Sequence, residues 1–175
     1  MINPRIIVSR TIDKSAKVLK AFRDLESTAV LVGVPAEKAP RTASEAKARG
    51  IAISNVALAY IHNFGSPAAN IPARPFMQPG ILDARVPIIH YFEMAGKAAF
   101  EGRPEVVISN LMAAGMAAAI SIKKKISSNI PPPLAASTLA ARRRRGRTGT
   151  RTLVDTGQLR NAITFVLRKF NKAAA

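Results

Sequence analysis

Six arginines lie between positions 142 and 151, and no acidic residue lies among them. They are Arg142, Arg143, Arg144, Arg145, Arg147 and Arg151. A guanidinium group forms paired hydrogen bonds with phosphate or carboxylate oxygens, so such a run suits a phosphate backbone or an acidic protein surface. No aromatic residue occurs between Ile130 and Val154, which argues against stacking on unpaired bases. The run therefore predicts contact with duplex DNA without sequence preference, contact with an acidic neighbouring protein, or a solvated loop.

Residues for catalysis are few. His62 and His90 are the two histidines, and neither has a carboxylate motif beside it. Glu101 and Glu105 could exchange protons in a cleft, but their place at a helix junction favours a capping role. The chain contains no glycine-rich phosphate loop, H-E-x-x-H pair, G-x-S-x-G elbow or EF-hand spacing. We expect no enzymatic activity, no metal site and no cofactor.

The composition predicts an acidic partner. The 175 residues include 27 Lys and Arg against 10 Asp and Glu, a net charge of +17 that far exceeds what solubility requires. Nucleic acid, an anionic membrane surface or an acidic protein ring would each fit this charge. Cysteine is absent, so disulfides and thiolate chemistry are excluded.

A membrane partner is not expected. The most apolar stretch, 106–122, is interrupted by Ser109, Asn110 and Ser121, and we interpret it as a packed helix. The N-terminus has no apolar run of signal-peptide length, which indicates a cytosolic product.

The pattern of apolar residues predicts one α+β domain over 1–175, with a small mixed or antiparallel sheet flanked by several helices. The predicted strands are 6–9, 28–36 and 163–167, the second of them buried on both faces. The predicted helices are 11–26, 54–64 with Ser54 as its N-cap, 79–100 with an interruption at Pro87, and 106–127, which Pro104 and Glu105 open. Two long loops complete the prediction: an exposed loop over 36–50 and a Pro- and Arg-rich arm over 128–154.

The stretch IHNFGSPAANIPARPFMQPG, residues 61–80, predicts an elbow between two helices. Gly65 suits the end of the first helix and Pro79 the first turn of the next. Our hypothesis is that prolines make the elbow rigid. Phe76 would anchor it in a core or subunit pocket, and Arg74 would bind carbonyl groups or a neighbour's acid.

A second turn signal lies near the C-terminus. Asp155, Gly157 and Gln158 have the spacing of a capping box, with Asp155 as the cap of a short helical turn.

The order of these motifs resembles the tail-completion proteins of tailed bacteriophages, which join head to tail in the neck. Three blocks carry the resemblance: AYIHNFG at 59–65, IPARPFM at 71–77, and a downstream group of PPL at 132–134, STLA at 137–140 and LVDTGQLR at 153–160. VGVP at 32–35 also resembles the strand that precedes the first block in that family.

The resemblance implies a non-enzymatic virion subunit that forms a ring, expected to contain six copies, between the head connector and the tail tube. It would be made in the host cytoplasm and located in the neck. Six residues are assigned to a subunit or partner interface: Tyr60, His62, Phe64, Arg74, Pro75 and Phe76. The arginine run would contact packaged double-stranded DNA or an acidic adjacent ring. A tail-tube terminator and a stand-alone module that binds nucleic acid without sequence preference are the alternatives.

Overall fold

The computed structural model describes residues 13–38 and 53–170. Within these ranges the α+β prediction is confirmed, because seven α-helices surround one two-stranded antiparallel sheet. The predicted strand 6–9 and most of the predicted loop 36–50 lie outside the described residues. Residues 36–38 form one exposed 3-10 turn.

The helices are α1 (Ser15–Ser27), α2 (Asn55–Phe64), α3 (Met77–Asp83), α4 (Arg85–Phe100), α5 (Pro104–Ser127), α6 (Ala136–Arg144) and α7 (Gln158–Ala162). The strands are β1 (Thr28–Gly33) and β2 (Thr164–Lys169).

Helix α5 is the centre of the structure, in contact with α1, α3, α4, α7 and both strands. Its buried residues recur at spacings of three and four, the pattern of one helix face: Val107, Leu111, Ala114, Gly115, Ala118, Ala119, Ile122 and Ile126. By length and composition alone α5 could cross a membrane. Two core clusters pack on one face of it, one against α1 and α4 and one against the elbow and α7, whereas Met112, Met116 and Ile120 on the rest of the helix are exposed.

The sheet packs on α5 through one face. β1 and β2 are antiparallel, with Leu31 opposite Val166. The side chains of Val30 and Phe165 lie against Gly115 of α5, whereas Leu31 and Val166 are each 41% exposed. The prediction that β1 is buried on both faces is therefore wrong, because a β-branched run indicates strand packing but not the number of layers around the strand.

Helix α1 begins later than predicted, and its apolar stripe is only partly used. Ala21 is buried and Phe22 and Leu25 pack on the core, but Ala16 and Leu19 are exposed. Only the second half of the helix therefore contacts the core.

The predicted interruption of helix 79–100 is confirmed, but it falls at Ala84 rather than at Pro87. Pro79 and Pro87 are each the third residue of a helix. A missing backbone N–H costs nothing there, because the first N–H groups of a helix have no acceptor within it.

The arm, residues 128–154, is not a continuous loop as predicted, since it contains helix α6. Alanine, leucine and arginine are among the best helix formers, and they supply most of α6. The helix ends in three arginines, where cations favour the carbonyl end.

Candidate functional site

Helix α2 leads into the elbow, which we define as residues 65–78. The Ser54 hydroxyl accepts a hydrogen bond from the Ala57 N–H at 3.1 Å and caps the helix start, as predicted. Gly65 ends the helix at φ 82°, and its N–H donates to the Ile61 carbonyl at 2.8 Å. A β-carbon on Gly65 would lie 2.9 Å from the backbone nitrogen of Ala73, so the close return of the chain requires glycine here.

The elbow folds back along α2 instead of continuing as a fully extended connector. A 3-10 turn over Pro67–Ala69 reverses the chain and pairs Ser66 with Ile71. The Arg74 N–H then donates to the His62 carbonyl at 2.8 Å. The first two blocks of the resemblance therefore lie side by side.

Asn63 fixes the end of the elbow. Its side-chain oxygen accepts hydrogen bonds from the N–H groups of Phe76 and Met77, each at 3.1 Å, where α3 begins. The Phe76 ring is fully buried in a core cluster that includes Ile122 and Leu153. Its hydrophobic contact is thus made within the chain.

Arg74 links the elbow to the arm. The side chain is buried, and its Nε and Nη2 atoms donate to the Pro132 carbonyl at 2.9 and 2.8 Å. Nη2 also approaches the Pro133 carbonyl at 3.2 Å. Burial lowers the pKa of the Arg74 guanidinium from its ordinary value, because water no longer solvates the charge.

The assignment of Arg74 and Phe76 to a subunit interface is therefore wrong for direct contact. Both side chains are buried within the chain and hold the elbow against the arm and the core. Of the alternatives that the sequence left open, the carbonyl partner for Arg74 and the core position for Phe76 are the ones found.

Arg142 is buried as well, although it belongs to the run expected to bind an outside partner. Its Nη1 atom donates to the carbonyls of Gly149 and Arg151 at 2.8 and 2.9 Å, and its Nε atom lies 3.5 Å from Asp155 Oδ1. Arg147 donates to Asp155 Oδ2 at 2.7 Å. Arg142 and Arg147 therefore order the arm around Asp155, and Arg142 is not available for an outside ligand.

This pairing also corrects the predicted capping box. Helix α7 begins at Gln158 with Gly157 at its N-cap, at φ 80°, and no side chain caps it. The Asp155 carboxylate faces the guanidinium groups of Arg142 and Arg147 instead. A carboxylate interacts more strongly with these charged donors than with neutral backbone N–H groups.

Four arginines of the run have exposed side chains: Arg143, Arg144, Arg145 and Arg151. Arg145 donates through Nε to the Ala141 carbonyl at 3.0 Å, which leaves its terminal nitrogens at the surface. The exposed part of the run keeps a concentrated positive charge.

The elbow, α2, the arm and the start of α7 enclose a cleft of about 350 Å³. Its polar lining comprises His62, Asn70, Arg74, Thr138, Arg142, Arg145, Thr152, Asp155, Thr156 and Gln158. Its main apolar lining comprises Leu58, Ile71, Pro72, Leu134, Leu153 and Leu159. All three blocks of the resemblance thus meet around one cleft, which is lined by three arginines and one aspartate.

Thr152 lines the cleft and Asn129 holds its backbone in place, and both residues were missed from the sequence. The Thr152 N–H donates to the Asn129 side-chain oxygen at 3.0 Å. The Thr152 hydroxyl is buried and has no hydrogen-bond partner among the described residues. No local signal reveals such a pair, since its members lie 23 residues apart.

Tyr60 and Phe64 form an exposed aromatic pair on α2, beside the elbow. Their ring centroids lie 4.9 Å apart, and the residues are 65% and 64% exposed. Pro75 is exposed too, while His62 is partly buried and lines the cleft. Of the six residues assigned to an interface, Tyr60, Phe64 and Pro75 thus lie at the surface.

The catalytic candidates are not brought together. His90 is exposed beside Tyr91, with ring centroids 5.6 Å apart, and Glu101 forms an ion pair with Arg103. Across 13–38 and 53–170 no three His, Cys, Asp or Glu side chains are grouped to hold a metal ion.

No protein-family model matches this chain, and no curated protein or solved structure is significantly similar to it.

Proposed function

We propose that this chain is a structural subunit of the neck of a tailed bacteriophage, a tail-completion protein that forms a ring, expected to be hexameric, between the head connector and the tail. The observation that carries the proposal is the meeting of the three resembling blocks around one cleft. Residues from 62, 71–74, 133–138 and 153–158 line it together, although up to 96 positions separate them. A chance likeness of short motifs would not require them to share a site.

The exposed surface is consistent with assembly into a ring. The Tyr60 and Phe64 rings lie in solvent contact on a helix that is held in place at both ends. Aromatic residues are enriched in protein interfaces because they bury a large area with little loss of conformational entropy. The pair is therefore the surface that we assign to the neighbouring subunit.

The charge predicts how the ring assembles. Each copy carries a net charge of +17, so copies in a ring repel one another unless an acidic neighbour or DNA compensates. The purified protein is expected to be monomeric or weakly associated at low salt. A stable ring of the pure protein at low salt, seen by analytical ultracentrifugation, would contradict this part of the proposal.

The proposed role is tested by electron microscopy of particles from a phage that lacks this gene. Filled heads and separate tails that join when the purified protein is added are the expected result. Tails of uncontrolled length would identify a tail terminator instead. Particles of normal appearance would refute both neck assignments.

The four exposed arginines favour a second candidate, a module that binds duplex DNA without sequence preference. The logarithm of DNA affinity would then fall with the logarithm of salt concentration, with a slope of about −0.9 per phosphate neutralised. Changing Arg143, Arg144, Arg145 and Arg151 to glutamine would reduce that slope by about 3 to 4. A monomeric protein with this behaviour, together with normal particles from the deletion phage, would select the module.

A further inference from the structure

The cleft between the elbow and the arm has the size and lining of a binding site. Its volume of about 350 Å³ is at the lower end of the range for ligand pockets, about 300 to 1,000 Å³. It combines apolar walls from Leu58, Ile71 and Leu134 with polar groups from the arm. A ligand that fills it must therefore present both an apolar surface and a polar group.

The polar groups of the cleft that lack a partner indicate the chemistry of the ligand's polar group. Thr152 lines the cleft, and its buried hydroxyl has no partner among residues 13–38 and 53–170. Among the described residues, Arg145 at the same cleft donates only through Nε, so its terminal nitrogens are available as donors to a ligand. Arg74 and Arg142 add positive charge that Asp155 offsets only in part. A carboxylate satisfies these donors, because it accepts several hydrogen bonds and carries the opposite charge.

The apolar walls favour a peptide over DNA. A phosphodiester backbone would leave Leu58, Ile71 and Leu134 uncovered, whereas a peptide can place a leucine or valine on them and an acidic side chain beside it. We propose that the cleft binds an extended peptide segment of an adjoining protein, in which an aspartate or glutamate lies next to an apolar residue. This inference rests on the proposed function only for the source of the segment, which would be an adjacent ring of the neck.

The proposal is tested by selecting, from a displayed library of random eight-residue peptides, those that bind the purified full-length chain. Selection on the wild-type protein, with counter-selection on Thr138→Trp, should enrich peptides that carry an acidic residue beside an apolar one. Thr138 lines the cleft and is exposed, so a tryptophan there fills the site without disturbing the core. Ser137→Trp is the matched control, since Ser137 is exposed on the same helix but does not line the cleft.

The enriched peptide is then measured by fluorescence anisotropy against single variants. Arg145→Gln should weaken its binding about tenfold, the effect of losing one charge-assisted hydrogen bond. Arg85→Gln, which removes one exposed charge outside the cleft, should change binding less than twofold. Thr152→Val should weaken binding by a smaller factor. When the acidic residue of the peptide is replaced by its amide, wild type and Arg145→Gln should bind the peptide with equal affinity.

Three results would overturn the proposal. The selected peptides could be no more acidic than the starting library, they could bind Thr138→Trp as well as wild type, or no peptide could bind at millimolar concentration. A 20-base-pair duplex that binds wild type and Thr138→Trp equally tightly, and does not displace the peptide from wild type, would show that DNA binds elsewhere on the chain and would support the peptide assignment. Because these measurements use the pure protein, they are independent of whether the deletion phage makes joined particles.

Discussion

The Arg74 guanidinium holds the carbonyl of Pro132, 58 residues further along the chain, through two hydrogen bonds of 2.9 and 2.8 Å. The contact joins two distant segments. One is the block 71–77, which sets the path of the elbow, and the other is the proline segment near the start of the arm. The acceptor is a backbone carbonyl, so the link depends on the geometry of the guanidinium group and not on a matching acid.

Arg74→Ala should lower the free energy of unfolding by about 3 kcal/mol, since it removes a buried side chain together with the hydrogen bonds of its charged group to the Pro132 and Pro133 carbonyls. Arg74→Lys should cost about 1 to 2 kcal/mol, because an ammonium group cannot reproduce the fork. Urea unfolding followed by circular dichroism measures both. Arg143→Ala, at an exposed position, should stay within about 0.5 kcal/mol of wild type, and equal losses for Arg74→Ala and Arg143→Ala would refute the link.

Phe76→Ala should destabilise the protein by about 3 to 5 kcal/mol, because the ring is fully buried and its removal leaves a cavity. Phe64→Ala makes the same chemical change at a residue that is 64% exposed, and should cost less than about 1 kcal/mol. Thermal unfolding of the two variants side by side tests the difference. A similar loss of stability in both would mean that the burial of Phe76 is not what holds the elbow.

Tyr60 and Phe64 carry a separate prediction about assembly. The double variant Tyr60→Ala, Phe64→Ala should fold normally but fail to complement the deletion phage, since the exposed rings are the proposed contact with the next subunit. Ile120→Ala, which removes exposed apolar surface from α5, is the control and should complement. Plaque counts together with Tm values separate lost assembly from lost folding, and full complementation by the double variant would remove this surface from the proposal.

The sequence was informative where structure depends on neighbouring residues. Helix α2 begins after Ser54 and ends at Gly65, as the local chemistry of these two residues predicts. Helix α5 begins at Pro104 for the same kind of reason. The predictions failed where a distant partner decides the outcome. Asp155 has the spacing of a cap, yet its carboxylate faces Arg142 and Arg147, because a charged partner competes successfully with an N–H group.

The candidate cleft could not be predicted from the sequence for the same reason. Arg142 is indistinguishable from its neighbours in a run of four arginines, and only the return of the arm to Gly149 and Arg151 selects it for burial. Thr152 is positioned at the cleft by the hydrogen bond from its N–H to the Asn129 side chain and by the packing of the arm. Long-range contacts of this kind have no period or spacing by which to recognise them.

Gly115 and Gly96 are a matched pair of helix glycines with opposite expected effects. A β-carbon on Gly115 would lie 2.5 Å from the Phe165 ring, whereas one on Gly96 would meet nothing within 4 Å. Gly115→Ala should therefore destabilise the protein by about 1 to 3 kcal/mol through overpacking between α5 and the sheet. Gly96→Ala should stabilise it by about 0.5 to 1 kcal/mol, because alanine loses less backbone entropy in a helix. Denaturant midpoints measure both, and a stabilising Gly115→Ala would contradict the packing of β2 on α5.

The arm's order depends on Arg142 and Asp155, and a double-mutant cycle tests this dependence. Arg142→Ala should cost about 3 kcal/mol, since it removes a buried side chain that donates to the carbonyls of Gly149 and Arg151, and it leaves Asp155 with less positive charge beside it. Asp155→Ala should cost less, because Arg142 keeps its carbonyl partners. The double variant should be more stable than the sum of the two losses predicts, by about 1 kcal/mol or more, since each single change already breaks the shared contact.

Limited trypsin digestion gives the local readout for the same pair. Arg142→Ala should speed cleavage after Arg145 and Arg147, because the segment between α6 and Thr152 loses the side chain that closes it and opens more often. Arg143→Ala is the control, because it also removes one cleavage site but makes no such contact with the segment. Additive losses in the cycle together with equal digestion rates for the two variants would show that the arm is held by its backbone alone, and that Arg142 contributes only its charge.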